Sequence, residues 1–147
     1  MSTPDPTLLK LLVQVTHVFE QTLDDDLRAE LHDTLRPAHY AVFRHLPPEG
    51  SRVTALAESA GMTQQSMGEL ITHLERHGYV ERTVDPADRR ARVVVATESG
   101  RAAVTLAGER IAAIERRLSA DLGEEGLKDL RSLLARSLGS LRGLRNP

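Results

Sequence analysis

Cysteine and tryptophan are both absent from this chain. Without a thiol there is no disulfide framework, no zinc–thiolate site and no thiol redox switch, and the chain tolerates a reducing compartment. Aromatic residues amount to only 3%, so a core must be assembled mainly from Leu, Val, Ile and Ala, which suits packed helices better than a β-sandwich. No run reaches the roughly 18 apolar residues that a membrane helix needs. The opening residues, Met1-Ser-Thr-Pro-Asp-Pro6, lack the basic and apolar regions of a secretory signal. Cytoplasmic residence with no membrane partner is the expectation. Excess charge is missing too: a formal net charge of −2 argues against a protein that coats nucleic acid by bulk attraction. No nucleophile–base–orienter set and no phosphate-cradling glycine loop occurs, so neither an enzyme nor a cofactor is expected.

What is present suits one compact unit. The 147 residues, 40% of them apolar, can bury one core and leave little room for two independent domains. Leu8, Leu11, Leu12, Val15, Val18 and Phe19 recur at three- and four-residue steps, which predicts a helix with a broad apolar face. Asp24-Asp-Asp26 interrupts that pattern while Leu27, Leu31 and Leu35 resume it, so the stretch is either one long helix or two separated near the acidic run. Pro37 suits the first turn of a helix through about Leu46, and Pro47 to Gly50 form a loop. Ser51 or Arg52 opens a short helix that Gly61 closes as a left-handed cap. Thr63 is a natural N-cap for a helix to about His77, with Gly78 as its stop. Tyr79 to Val84 and Ala91 to Ala96 are β-prone runs flanking a Pro/Asp-rich loop, hence a hairpin. Thr97-Glu-Ser-Gly100 caps a helix to about Leu118 or Leu122. A last helix then carries Leu127, Leu130, Leu133, Leu134, Leu138 and Leu141.

The expected fold class is therefore mainly α with a small β-hairpin wing, over a single unit of residues 1–147. Residues 37–97 form a winged helix-turn-helix lobe, flanked by helices at 7–35 and 98–144. Packing against a second copy would bury the Leu-rich stripes of those helices in an intersubunit bundle, making a homodimer. The alternative is that they fold onto their own subunit's core.

The lobe carries the chemistry. Met67, Leu70, Ile71 and Leu74 share one face of the second helix of the turn, which leaves Gln65, Glu69, Thr72 and Arg76 facing outward. Gln64, Gln65 and Ser66 lie at its start, where glutamine can pair with adenine, serine can meet base or phosphate, and free N–H groups favour a phosphate. Arg82 to Arg92 holds four arginines and two acids, so this segment is +2 in a chain of −2. Asp88, Arg89 and Arg90 are expected at a loop tip, where arginine can enter the roughly 6 Å minor groove, with Asp85 or Asp88 bracing one arginine and Pro86 stiffening the turn. Taken singly, each feature also fits a solvated helix face or a solubilising turn. Glu69 is repelled by phosphates unless it accepts from cytosine N4 or pairs with Arg76. Gly68 costs its helix about 1 kcal/mol relative to alanine, serving either close backbone approach to DNA or packing. His17, His32, His39, His45, His73 and His77 are scattered. His73 and His77 have zinc-compatible spacing but no third ligand in view, so no metal is expected.

In Leu56-Ala57…Gly61-Met-Thr63, Leu74-Glu-Arg-His-Gly78-Tyr-Val-Glu-Arg82 and Asp85-Pro-Ala-Asp88-Arg89-Arg90…Val93…Thr97-Glu-Ser-Gly100, the chain resembles the multiple antibiotic resistance regulator (MarR) family of bacterial transcription factors. The likeness extends to length and helix order. The Asp-Arg-Arg wing followed by Thr-x-x-Gly is its more specific half. The resemblance implies a homodimer whose terminal helices interleave, with Thr63, Gln64, Gln65, Ser66, Glu69, Thr72 and Arg76 presented to a major groove of double-stranded DNA. Asp88, Arg89, Arg90 and Arg92 would serve the flanking minor groove. Two-fold symmetry then implies a pseudo-palindromic operator with half-sites roughly 10 bp apart. It also implies a repressor released by a small, phenolic or aromatic-acid effector, with His17 or His39 and Phe43 lining the pocket. The competing reading is a winged-helix module that binds protein and no DNA.

Overall fold

A computed structural model describes residues 3–31 and 35–146. Among these, six helices and one two-stranded antiparallel sheet are formed: α1 Leu8–Leu31, α2 Pro37–His45, α3 Val53–Ala60, α4 Gln64–Arg76, β1 Val80–Asp85, β2 Asp88–Ala96, α5 Glu98–Leu122 and α6 Glu124–Arg145. This is the mainly α, winged architecture that the sequence predicts. They divide into two compact units, one ending at Arg110 and the other beginning at Ile111. No described helix is long and apolar enough to cross a membrane.

In the first unit α1 runs unbroken through the acidic run, which settles the choice left open by the sequence. Asp24 accepts an ion pair from Arg28 one turn later at 2.9 Å and a longer one from Arg36 at 3.6 Å, so its charge is met without interrupting the helix. The last residues of the expected 7–35 segment, His32 to Thr34, lie outside the described residues. Leu23 and Leu27 are buried, while Leu8, Leu9, Val13, Val15 and Val18 are all more than half exposed.

Seven side chains, Val42, Leu56, Met67, Ile71, Leu74, Val80 and Val94, form the fully buried centre of the lobe. They come from α2, α3, α4 and both strands. At roughly 2 kcal/mol for each buried large aliphatic, this cluster fixes α4 to its support by one face and leaves the other free. The caps stand where the local sequence places them. Gly61 closes α3 at φ 66°, and Thr63 Oγ1 accepts the Ser66 amide at 3.0 Å. Gly78, at φ 77°, lets the chain turn from α4 into β1. Ser51 adds a short third rung beside the hairpin, exchanging 3.0 and 2.8 Å backbone hydrogen bonds with Val94. Gly50 sits at φ 90° just before it, where a Cβ would lie 2.6 Å from Val95 Cγ1.

The Thr-x-x-Gly motif explains itself at the start of α5. Thr97 Oγ1 donates to the Gly78 carbonyl and accepts from the Gly100 amide. Gly100 is buried against the Tyr79 carbonyl oxygen, with no room for a Cβ. The motif thus ties the first turn of α5 to the exit of α4.

In the second unit α5 continues to Leu122 and α6 follows after Gly123, whose φ is 79°. Arg131 of α6 pairs with Glu115 of α5 at 2.7 Å. α6 has no buried residue, and Leu133, Leu138, Leu141 and Leu144 are each at least half exposed.

Candidate nucleic-acid interface

The outward side of α4 is polar and open. Gln64, Gln65, Ser66, Glu69 and Arg76 are exposed and Thr72 is half-buried, while Met67, Ile71 and Leu74 face the core. Gln65, Gly68, Glu69, Thr72, His73 and Arg76, with Arg82 from β1, line a shallow cleft of about 480 Å³. Thr63 and Ser66 are partly engaged in holding the helix start, because the threonine hydroxyl accepts the Ser66 amide and donates to Ser66 Oγ at 2.9 Å. Ser66 keeps its own hydroxyl proton for an outside acceptor. Glu69 and Arg76 make no ion pair with each other among the described residues. A Cβ at Gly68 would meet nothing within 4 Å among the described residues, so packing among them does not require that glycine.

The wing departs from expectation in three ways. Its turn is Pro86-Ala87, and Asp88, Arg89 and Arg90 belong to β2 instead of standing at the tip. Side-chain bonds to the backbone fix this: Asp85 Oδ1 accepts the Ala87 amide at 2.9 Å and Asp88 Oδ1 accepts the Arg90 amide at 3.0 Å. Pairing then jumps from Val84 opposite Arg92 to Asp85 opposite Asp88, so Arg89, Arg90 and Ala91 lie out of register on the longer arm. Such bulges bend a strand and re-aim its side chains.

Second, the braced arginine is Arg52, just before α3. Its Nε and Nη2 donate to Asp85 Oδ2 at 2.9 and 2.7 Å. The Ala87 amide and the Arg52 guanidinium together hold the Asp85 carboxyl below the usual carboxylate range. Third, Arg82 contributes less free charge than the count suggests, because its Nη1 donates to Glu75 Oε1 at 2.8 Å. Arg89, Arg90 and Arg92 are exposed and make no ion pair among the described residues. Free positive charge in the lobe therefore concentrates on the long arm of the hairpin, on Arg76 and at the mouth of the cleft.

His17, His39 and Phe43 are not brought together within this chain. His17 is exposed on α1 beside Leu12, Val13, Thr16 and Glu20. His39 is buried in the lobe, where its Nδ1 accepts the Arg36 amide at 2.8 Å and caps α2. Its ring stacks on that of His73 at a centroid distance of 4.2 Å, and the His77 ring lies tilted by 35° beside His73 at 4.3 Å. Burial, reinforced by those two neighbours, lowers the His39 pKa to about 4. Phe43 lines a separate, mostly apolar cleft of about 400 Å³ with Leu46, Pro47, Ala96, Arg101 and Val104. Among the described residues no group of three or more His, Asp or Glu is placed to hold a metal ion.

Comparison with known proteins agrees with this geometry. Residues 34–91 match the model of the MarR family. The chain is 39% identical over 72 residues to the transcriptional regulator HosA of Escherichia coli O111:H-, covering 48% of this chain and 53% of that protein. It thus spans about half the length of the curated relatives it matches. Its fold is similar to that of CouR from Rhodococcus jostii RHA1, solved bound to p-coumaroyl-CoA, with a TM-score of 0.71 and 28% identity over 93% of this chain and 90% of that one. It is also similar to S. aureus MepR in a complex with DNA, with a TM-score of 0.74 and 22% identity over 92% and 99% of the two chains. From the turn, the Asp-Arg-Arg hairpin and the Thr-x-x-Gly clasp to these likenesses, the observations converge on a MarR-family match carried by residues 34–91.

Proposed function

We propose that this protein is a DNA-binding transcriptional regulator acting as a homodimer. The observation that carries the reading is the set of exposed arginines, Arg89, Arg90 and Arg92, which make no ion pair among the described residues, beside the open polar face of α4. α4 enters a major groove, where Gln64, Gln65, Ser66, Glu69, Thr72 and Arg76 are the candidate readers and Thr63 holds the helix start. The bulged arm, opened by Asp88, brings Arg89 and Arg90 to the flanking minor groove. The DNA complex of MepR, a chain of the same fold, supports this docking.

Dimerisation involves the residues placed at 7–35 and 98–144. The exposed apolar residues of α1 and α6 are more than single scattered leucines, and a second copy is the partner that would cover them. A two-fold dimer asks for an inverted-repeat operator with half-sites roughly one helical turn apart. The protein represses, and a small phenolic or aromatic-acid effector releases it by favouring a conformation that does not fit DNA. The apolar cleft beside Phe43, with Arg101 on its lining, offers an aromatic acid both a surface and a counter-charge, and the ligand-bound CouR supports an effector of that character. His17 and His39 are the other candidate pocket residues.

The test is selection of a binding site from randomised duplexes, followed by affinity as a function of salt. Phosphate contacts give a steep negative slope. Replacing Arg89 and Arg90 with alanine should weaken binding and flatten that slope by about 2. If affinity and slope are unchanged, or no duplex is selected, the protein-binding module is the better reading.

A further inference from the structure

We propose that Arg52 is a positioning residue for the wing, clamping the hairpin beside its turn so that Arg89 and Arg90 leave the lobe in a fixed direction, without itself contacting DNA. This rests on the DNA-binding reading above and adds a residue to it.

Arg52 occupies the N-cap position of α3, where Ser, Thr, Asp or Asn would accept an orphan helix amide. An arginine has no acceptor to offer, and no side-chain cap is made there. Its guanidinium turns to the hairpin instead, giving two hydrogen bonds to Asp85 Oδ2 and passing within 4.0 Å of Asp88 Oδ2. The other oxygen of Asp85 accepts the Ala87 amide. One carboxylate thus joins the turn of the wing to the start of a core helix. The adjacent residue, Ser51, bonds the same hairpin at Val94, so neighbouring residues hold it at its middle and near its tip.

The need for a clamp follows from the register. Arg89, Arg90 and Ala91 lie where the regular pairing is broken, so ladder bonds alone do not set their direction. An arm already held in its docking orientation loses less entropy on binding. An exposed ion pair contributes little to stability, so orientation is the effect to look for. The Arg52–Asp85 pair also cancels its own charge, which leaves the attraction for phosphate to the arginines beyond it.

The experiment compares Arg52→Met, Asp85→Asn, the Arg89→Ala/Arg90→Ala double variant and the combination of Arg52→Met with that double variant, on the selected duplex. Asp85→Asn keeps an acceptor for the Ala87 amide and removes only the charged half of the clamp. Arg52→Met and Asp85→Asn should each weaken binding about tenfold with Tm shifted by no more than about 2 °C, and Arg52→Met should add nothing once the wing arginines are gone. An Arg52 bound directly to phosphate gives the opposite pattern: Asp85→Asn tightens binding, and Arg52→Met stays additive in the wingless background. Either outcome overturns the proposal. A second readout needs no DNA: the heteronuclear NOE of the Arg89, Arg90 and Ala91 amides should fall in both clamp variants, and unchanged values overturn the clamp. Failure of the parent reading shows elsewhere, as an absence of duplex binding by the unaltered protein or indifference to the loss of Arg89 and Arg90.

Discussion

The imidazole of His39, from α2, lies flat on that of His73, from α4, with 4.2 Å between ring centroids and 15° between planes. The contact couples the helix that supports the lobe to the helix proposed to enter DNA. On the His39 side it is maintained by a neutral ring, because His39 Nδ1 accepts the Arg36 amide and cannot also carry a proton.

Acid should therefore loosen the lobe. The folded pKa of His39 is lowered to about 4 from an unfolded value of 6.5, by burial first and then by His73 and His77. The unfolded chain consequently binds more protons between those values. The contribution of neutral His39 is complete above about pH 6.5 and is lost as the pH falls through 4, by an amount on the order of 3 kcal/mol. Thermal melts from pH 7.5 to 4.5 should show this loss. His39→Gln retains an acceptor for the cap and cannot titrate, so its melts should lack that share of the pH dependence. Equal acid sensitivity in the two proteins would remove His39 as the cause.

Gly100→Ala should destabilise the protein by about 2–4 kcal/mol. The added methyl would run into the Tyr79 carbonyl oxygen, with Phe43 Cε1 at 3.3 Å closing another side. Gly108, in the same helix, faces open space, so Gly108→Ala should be neutral or stabilising by up to about 1 kcal/mol. Chemical denaturation of the two variants separates a steric requirement at position 100 from any general effect of glycine in α5. Similar stabilities would show that α5 shifts at no cost.

How much of this was legible in the sequence depends on the distance over which a feature is encoded. Gly61, Thr63, Gly78 and the cap from Thr97 to Gly100 act on residues one to four positions away, or on the very next element, so these caps and stops can be read directly, whereas the bond from Thr97 to the Gly78 carbonyl spans 19 positions and cannot. The turn of the wing was misplaced because Asp85 and Asp88 bond to backbone amides two residues on, which moves the reversal to Pro86-Ala87. Partners far apart left no local trace. Arg52 and Asp85 are 33 positions apart, and His39 meets His73 through the packing of α2 on α4. Spacing rules had nothing to say about either. A basic residue at an N-cap position was the one available hint that Arg52 had another task.

Gly68→Ala should separate stability from binding. Among the described residues nothing occupies the space a methyl would take, so the substitution should stabilise α4 by roughly 0.5–1 kcal/mol through helix propensity alone. The same methyl would stand in the open cleft shared with Gln65 and Glu69. A duplex that approaches the backbone there would be held off, and affinity should fall while Tm rises. A stabilised variant that binds as well as the original would show that DNA does not approach at Gly68.

Glu69 offers the sharpest test of whether the face of α4 reads bases. It is exposed in the cleft, beside Gln65 and Arg76, and no ion pair within the described residues neutralises it. A free carboxylate facing phosphates opposes binding at any sequence. It becomes useful only where it accepts from cytosine N4, for which such a contact discriminates by about 1–3 kcal/mol. Glu69→Ala should therefore raise affinity for unselected duplex and lower it for the selected site. Glu69→Gln should shift preference at the same base pair toward adenine, whose N6 and N7 glutamine can pair with. Repeating the selection from randomised duplexes measures both changes. If the three proteins select the same sequences in the same order, Glu69 reads nothing, and base recognition rests with Gln64, Gln65 and Ser66.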